Sequence, residues 1–202
     1  MAARRLAKEQ PASFAFTAEN MEWANATIAK YPEGRQASAV ISLLWRAQEQ
    51  AGWLSKPAID AIAAQLDMPE IRVLEVATFY SMFNLEPVGE VFVQLCGTTP
   101  CWLRGADDLK AVCAKKIGPQ STVSADGKFS WLEVECLGSC ANAPMVQIGK
   151  DYYEDLTAES FEKLLDDLAS GKNVKAGPQS DRKSSEPHGG LTSLTSLAEG
   201  AE

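Results

Sequence analysis

Four of the five cysteines occur in two close pairs, and these thiols are the strongest chemical signal in the sequence. The pairs are Cys96-Gly-Thr-Thr-Pro-Cys101 and Cys136-Leu-Gly-Ser-Cys140. Each pair holds its sulfurs within about one turn of backbone, and the segment between the pairs has room for a helix and a strand. Four thiolates brought together in this way form a metal site or an iron–sulfur site.

The spacing of the pairs favours one kind of site and leaves others open. Structural zinc usually prefers C-x2-C pairs, although wider spacings are allowed. Two disulfides are disfavoured in the cytosol, and a thioredoxin-type redox pair needs a C-x-x-C motif, which is absent. The only histidine, His188, has no partner histidine, which excludes a Rieske centre. From spacing alone we favour a [2Fe–2S] cluster, with zinc second and disulfides third.

The residues between the paired cysteines suit thiolate ligands. The loops 97–99 and 137–139 offer backbone N–H groups that would spread the negative charge of the sulfurs. Gly138 is expected at positive φ, and Pro100 is expected to stiffen the turn before Cys101.

The first 85 or so residues have the apolar spacing of helices. We predict four of them. The first has Thr17 as its N-cap and stops near Pro32, the second ends at Gly52, the third begins at Ser55, and a capping box at Asp67-Met-Pro-Glu70 opens the fourth.

After Pro87 the pattern changes to strands alternating with helices. The predicted elements are a strand at 90–95, a helix at 103–116, a strand at 129–135, a hairpin of 145–148 and 152–154, and a helix between Thr157 and Gly171. Both cysteine pairs then follow the carboxyl ends of strands, where open α/β sheets place their ligand sites. The expected fold class is α+β.

These patterns divide the chain into four parts. We predict an N-terminal extension at 1–16, a helical domain at 17–86, an α/β domain at 87–171 and a polar C-terminal tail at 172–202. The tail has no apolar periodicity, so it is expected either to be disordered or to become ordered on a partner.

Composition excludes several classes of function. A net charge of −8 argues against nucleic acid and against an anionic membrane surface. No apolar run approaches the roughly 20 residues of a membrane span, and no G-x-G-x-x-G, Walker A or G-x-S-x-G motif is present. The N-terminus lacks the features of a signal or transit peptide, so a cytosolic location is expected.

The cysteine segments also carry a resemblance to a known family. The segments Cys96-Gly-Thr-Thr-Pro-Cys-Trp-Leu-Arg-Gly105 and Glu135-Cys-Leu-Gly-Ser-Cys-Ala-Asn-Ala-Pro-Met-Val-Gln-Ile148 resemble the 24 kDa [2Fe–2S] flavoprotein subunit of NADH–quinone oxidoreductase (respiratory complex I). The segments 76–83 and 151–156 look like two further signatures of that family, and the resemblance runs from about Phe14 to Ser170.

The resemblance implies a four-helix region followed by a thioredoxin-like [2Fe–2S] ferredoxin domain. It implies one cluster, bound by Cys96, Cys101, Cys136 and Cys140, and an electron-transfer role with no complete active site on this chain. Ser139 stands where many relatives carry alanine, and its hydroxyl is expected to donate near a sulfur.

The partner implied is the flavin- and NADH-binding subunit, which holds FMN and NADH in a larger membrane-bound complex. The implied location is the cytoplasmic side of the bacterial inner membrane, or the matrix side in a eukaryote. One alternative is a diaphorase subunit of an NAD-linked hydrogenase or formate dehydrogenase. An alternative of another class is a zinc-stapled interaction module.

Other residues invite a functional interpretation. Cys113 is expected to be a buried core thiol. Trp102 and Arg104 could shield and tune the cluster, or could equally be a packed aromatic and a surface cation. We expect Phe79, Tyr80, Met82 and Phe83 to pack in the core, with an interface to a partner chain as the alternative. The acidic run between Asp151 and Asp167 is expected to form a solvated face, with a basic partner as the alternative.

Overall fold

The computed structural model describes residues 4–187, 189–190 and 192–195, which excludes His188 and both termini. Seven α-helices and five β-strands lie within these residues, in agreement with the predicted α+β class. The chain divides into two compact units, one formed by the described residues up to Val88 and the other by those from Gly89 onward.

The first unit is helical. Its helices are α1 (Ala18–Ile28), α2 (Val40–Ala51), α3 (Lys56–Gln65) and α4 (Glu70–Phe79), with a 3-10 turn at Gln36–Ala39 before α2. The apolar stripes of the helices meet in one core, and among its buried residues are Leu43, Leu44, Ile59, Ile62 and Val73. The four predicted helices are confirmed.

The predicted caps of the first three helices are also confirmed. The Thr17 hydroxyl accepts from the Asn20 N–H at 3.2 Å, and the Ser55 hydroxyl accepts from the Ala58 N–H at 3.3 Å. Gly52 follows α2 in the left-handed conformation. Local side-chain chemistry therefore decides where these helices begin and end.

The predicted capping box of α4 is wrong. The N-cap of α4 is Pro69, which has no side-chain cap, and Asp67 belongs to the end of α3 instead. Asp67 has a φ of 51°, and the Met68 N–H donates to the Ala63 carbonyl at 2.9 Å. This is the Schellman closure of a helix, and an aspartate can take its left-handed position because its short polar side chain tolerates that conformation.

The second unit is a mixed sheet with helices. In chain order it contains β1 (Val91–Cys96), α5 (Thr99–Leu103), α6 (Ala106–Lys116), β2 (Phe129–Val134), β3 (Val146–Ile148), β4 (Asp151–Glu154), α7 (Ala158–Ala169) and β5 (Gly177–Pro178). The strand order is β2-β1-β3-β4-β5. The β1–β2 and β4–β5 pairs are parallel, whereas β3 runs antiparallel to both β1 and β4.

The core of the second unit lies where α6 packs on α7 and β1. Among its buried residues are Val93, Leu95, Leu109, Cys113, Met145 and Phe161. The α7 helix begins as predicted at Thr157, which forms a reciprocal capping box with Ser160.

The single helix predicted at 103–116 is two helices in the structure. Gly105 adopts a φ of 104° between α5 and α6, and α5 starts at Thr99. Only glycine adopts such a φ without strain, so the backbone turns there and Cys101 lies inside a short helix of its own.

The tail is ordered against its own domain up to about residue 186, contrary to both alternatives predicted for it. Residues 177 and 178 form β5, which pairs with Tyr153 and Glu154 of β4. No apolar period marks this segment because, apart from Val174, which packs against the core, the contacts that hold it are hydrogen bonds and an ion pair. Within the described residues, every helix is too short or too polar to cross a bilayer.

Candidate iron–sulfur site

The two cysteine pairs lie at the same edge of the sheet, as predicted. Since β1 and β2 are parallel, their carboxyl ends coincide, with Cys96 opposite Val134 in the register. Cys96 is the last residue of β1, and Cys136 follows two residues after the end of β2. All five cysteines are free thiols in the structure.

Hydrogen-bond donors surround the sulfurs at close range. The Thr98 hydroxyl lies 3.3 Å from the Cys96 Sγ, and the Gly138 N–H donates to the Cys136 Sγ at 3.4 Å. Gly138 has a φ of 89°, which confirms the predicted left-handed turn and aims this N–H at the sulfur. The Sγ atoms of Cys136 and Cys140 are 3.4 Å apart.

The first pair is buried, and its two thiols differ in acidity. Burial opposes ionisation of Cys96, but donors from the Thr98 hydroxyl and from the N–H groups of Thr98 and Leu137 outweigh it and lower the pKa. Burial raises the pKa of Cys101 to about 12, and the adjacent Cys96 sulfur adds to that rise. The Leu137 donor shows that the second loop reaches the first pair.

The second pair is exposed, and the pKa values of its two thiols also shift in opposite directions. The Gly138 N–H is the main cause that lowers the pKa of Cys136, with a further contribution from the Cys140 thiol. The neighbouring Cys136 sulfur in turn raises the pKa of Cys140. In each pair the pKa of one thiol is therefore lowered and that of the other is raised, and metal binding requires that both lose their protons.

The donor set fits a binuclear iron–sulfur cluster. Such a cluster binds one pair of thiolates at each of two irons, whereas zinc gathers four ligands around one ion. Two pairs at one sheet edge, with N–H donors, match the first arrangement better than the second.

Polar side chains from β4 hold the second cysteine loop, and sequence analysis missed them. The Glu154 carboxylate accepts from the Ser139 hydroxyl and from the Asn142 amide, both at 2.6 Å. The Tyr152 hydroxyl donates to the Leu137 carbonyl at 2.8 Å. The Ser139 hydroxyl therefore donates to Glu154, and the prediction that it donates near a sulfur is wrong. Only the three-dimensional pairing of β3 with β4 brings these groups to the loop.

The predicted acidic face is therefore wrong in part. Glu154 and Asp155 point inward, and the Asp155 side chain is 7% exposed beside Arg182. Others in the run form surface ion pairs, such as the half-buried Glu162 with Lys115 and the exposed Asp166 with Lys116.

The predictions for Trp102 and Arg104, which follow Cys101, have different outcomes. Trp102 is 55% exposed, so it is not a packed aromatic, and its ring N–H donates to Asp107 at 2.9 Å. It lines a cleft of about 560 Å³ outside the first loop, together with Gly97 and Glu133. Arg104 is exposed, as expected of a surface cation.

Two further predictions concern residues away from the cysteine pairs. Cys113 is buried, as predicted, and this burial raises its pKa to about 12. The expected core packing of residues 79–83 holds for Phe83, which is fully buried, but is wrong for Phe79, Tyr80 and Met82, which are exposed. The helix α4 ends at Phe79, and Tyr80 and Met82 follow that end, so all three side chains lie at the surface.

Comparison with known proteins gives consistent matches. The family described as thioredoxin-like [2Fe–2S] ferredoxin matches residues 24–169. The E 1 subunit of NADH-quinone oxidoreductase from Rhizobium meliloti (strain 1021) is 58% identical over 200 residues, which cover 96% of this chain and 73% of that protein. The E subunit of NADH-quinone oxidoreductase from Rickettsia bellii is 52% identical over 158 residues, which cover 77% of this chain and 95% of that protein.

A solved structure shares the fold at low sequence identity. An NAD+-reducing [NiFe]-hydrogenase in its H2-reduced state superposes with a TM-score of 0.59 and 17% identity over 67% of this chain. The matched region is 23% of the hydrogenase chain. This similarity supports the fold alone.

Proposed function

Since the chain belongs to the thioredoxin-like [2Fe–2S] ferredoxin family, we propose that it is the E subunit of an NADH-quinone oxidoreductase. In this role it is an electron-transfer subunit of an oxidoreductase, and its single [2Fe–2S] cluster exchanges electrons with FMN on a partner NADH-binding subunit. The relatives that support the assignment are 58% and 52% identical to the chain.

The observation that carries the proposal is the convergence of two thiol pairs at one sheet edge. We propose that Cys96 and Cys101 hold one side of the cluster and that Cys136 and Cys140 hold the other. When bound, such a cluster takes up and releases one electron at a time.

The residues of the chain set the surroundings of that cluster. The Gly138 N–H and the Thr98 hydroxyl lie against ligand sulfurs, where they would stabilise negative charge. The first pair is buried and excludes water from its side, whereas the second pair remains accessible. Hydrogen bonding and solvent exposure are the levers by which a protein tunes a cluster's potential.

The proposed partner is the flavin- and NADH-binding subunit of the same complex, on the cytoplasmic side of a bacterial inner membrane. The absence of a nucleotide or flavin motif in the sequence supports a division of labour, with hydride chemistry on the partner. Co-purification with a flavin-containing protein from the native source tests this assignment. Recovery with hydrogenase subunits instead would favour the diaphorase alternative.

Metal and sulfide analysis tests the cluster itself. Protein purified without oxygen should contain iron and acid-labile sulfide, about two of each per chain, and give an EPR signal after reduction with dithionite. A colourless, zinc-loaded and EPR-silent protein would instead support the interaction module.

A matched pair of variants tests the ligands. Cys140→Ala should bleach the visible spectrum, because it removes one thiolate. Cys113→Ala removes a buried thiol outside the pairs and should retain the spectrum. Retention of the wild-type spectrum by Cys140→Ala would remove Cys140 from the ligand set.

A further inference from the structure

We propose that residues 177–184 form a strap that fixes the loop carrying Cys140, with Arg182 as its positioning residue. The strap is defined by its contacts to β4 and to residues 141 and 142. The proposal extends the assigned function and rests on it where the cluster is concerned. Its purpose would be to hold an exposed ligand loop in register with the buried cysteine pair.

The strap is first anchored along β4. Gly177 and Pro178 pair in parallel with Tyr153 and Glu154. The pairing continues where the Gln179 N–H donates to the Glu154 carbonyl at 2.9 Å. Because the Glu154 carboxylate also binds Ser139 and Asn142, the strap is joined to the same strand residue that holds the cysteine loop.

A buried ion pair then fixes the middle of the strap. The Arg182 Nη2 donates to Asp155 Oδ1 at 2.8 Å, and their side chains are 10% and 7% exposed. The Ser180 hydroxyl donates to the other Asp155 oxygen at 2.9 Å. Such a buried, hydrogen-bonded pair costs much when one partner is removed, because the remaining charge is left uncompensated.

The same guanidinium reaches the cysteine loop. The Arg182 Nη1 donates to the carbonyl of Ala141 at 3.0 Å and to the Asn142 Oδ1 at 3.2 Å. Ala141 follows Cys140 directly, within the 3-10 turn Cys140–Asn142. The planar fork of arginine suits this role because two separate nitrogens in fixed geometry bind Asp155 and Ala141, whereas a lysine ammonium presents a single nitrogen.

The strap also closes over Asn142. The Asn142 amide donates to the Ser184 carbonyl at 2.9 Å, and the Asn142 carbonyl accepts from the Asp155 N–H at 2.8 Å. Asn142 is almost fully buried, although Cys140, two positions before it, is exposed. The loop that presents Cys140 is therefore held from its C-terminal side by a segment that lies more than 30 residues further along the sequence.

The test compares Arg182→Gln with Lys183→Gln in the full chain. Both changes remove one positive charge from adjacent positions, but the Lys183 side chain is exposed, and the hydrogen bonds of this residue, from its N–H to the Glu186 carboxylate and from the Glu186 N–H to its carbonyl, are made by its backbone. Cluster-loaded protein is mixed with an iron chelator, and iron loss is followed together with the EPR spectrum. Supporting residues around metal ligands typically change metal retention by about 10- to 100-fold.

We expect Arg182→Gln to lose iron about 10- to 100-fold faster than wild type and to alter the EPR line shape, while Lys183→Gln matches wild type. Arg182→Lys keeps the positive charge beside Asp155 but lacks the planar fork, so its rate of iron loss should lie between those of Arg182→Gln and Lys183→Gln. If Arg182→Gln does not fold, Arg182→Lys takes its place in the test. Wild-type iron loss and line shape in both Arg182 variants would overturn the proposal.

Hydrogen exchange in the iron-free protein separates the strap from the cluster assignment. The Asp155 N–H, which donates to the Asn142 carbonyl, should exchange at least about tenfold faster in Arg182→Gln than in Lys183→Gln. Equal exchange rates would refute the strap even if the cluster is present. Faster exchange in a protein that binds no iron–sulfur cluster would support the strap and refute the proposed function.

Discussion

Replacement of Gly97 by alanine tests how closely the first cysteine loop approaches β2. A methyl group at Gly97 would overlap the Glu133 Oε1 and would lie 2.7 Å from its Cδ and 2.8 Å from its Cγ. The same carboxylate forms an ion pair with Lys110 at 2.7 Å, with side-chain exposures of 26% for Lys110 and 38% for Glu133. The methyl group must therefore displace Glu133 from Lys110.

The expected cost is moderate because the obstacle is a flexible side chain. Overpacking typically costs about 1–3 kcal/mol, and a partly exposed ion pair contributes about 0–1 kcal/mol. Since Glu133 can turn toward solvent, we expect Gly97→Ala to lower the free energy of unfolding by about 1–2 kcal/mol. Glu133→Ala alone should cost about 0.5 kcal/mol, and the double variant should cost no more than Glu133→Ala.

Native-state hydrogen exchange of the β1 and β2 amides in the iron-free protein measures these free energies for the second unit alone. Gly89→Ala is the matched control, because a methyl group there would meet backbone atoms, at 2.7 Å from the Ser130 N and 2.8 Å from the Phe129 Cα. Gly89→Ala should lower the free energy of unfolding by more than about 3 kcal/mol, and adding Glu133→Ala should restore none of that loss. A double variant that is no more stable than Gly97→Ala would show that the Glu133 side chain is not the obstacle at this position.

Burial and hydrogen bonding in the second unit lead to four more expected outcomes. At pH 8, iodoacetamide should modify the exposed Cys136 of the iron-free protein and spare Cys113, as mass spectrometry can show; modification of Cys113 in folded protein would contradict its burial. Burial raises the Cys113 pKa from 9.0 to about 12, so the folded state keeps a proton that the unfolded state loses. The free energy of unfolding should therefore fall as the pH rises above about 9, and Cys113→Ala should flatten that decline in urea titrations. Phe161→Ala, in the core of the second unit, should cost about 3–5 kcal/mol in the same titrations, and a cost below about 1 kcal/mol would show that the site is loosely packed. Ser139→Ala removes a donor to Glu154 and should cost about 1 kcal/mol in hydrogen-exchange measurements; an unchanged stability would mean that the bond contributes nothing.

The elements that could be predicted from the sequence are those that a residue's own neighbours determine. Thr17, Ser55 and Thr157 cap helices through atoms only three residues away, so their spacing was sufficient evidence. The cysteine pairs were placed correctly because the alternating strand residues lead directly into them.

The errors share a different cause. Asp67 can either begin one helix or end the one before it, and the hydrogen bond from the Met68 N–H to the Ala63 carbonyl decides for the second role. The salt bridge between Arg182 and Asp155 joins residues from separate parts of the sequence, and nothing local predicts it. Phe79 looks like a core residue from its type alone, yet its helix ends there and leaves it at the surface.

The unequal burial of the two cysteine pairs has a consequence for damage by oxidants. The Cys136 and Cys140 sulfurs are solvent-accessible and only 3.4 Å apart, whereas Cys96 and Cys101 are sheltered by the core. In iron-free protein, oxidation by an external oxidant would therefore begin at the outer pair, where the two sulfurs already lie close together. A disulfide between them would occupy two of the four thiols proposed as ligands and leave the protein folded but unable to take up its cofactor until a reductant reopened it.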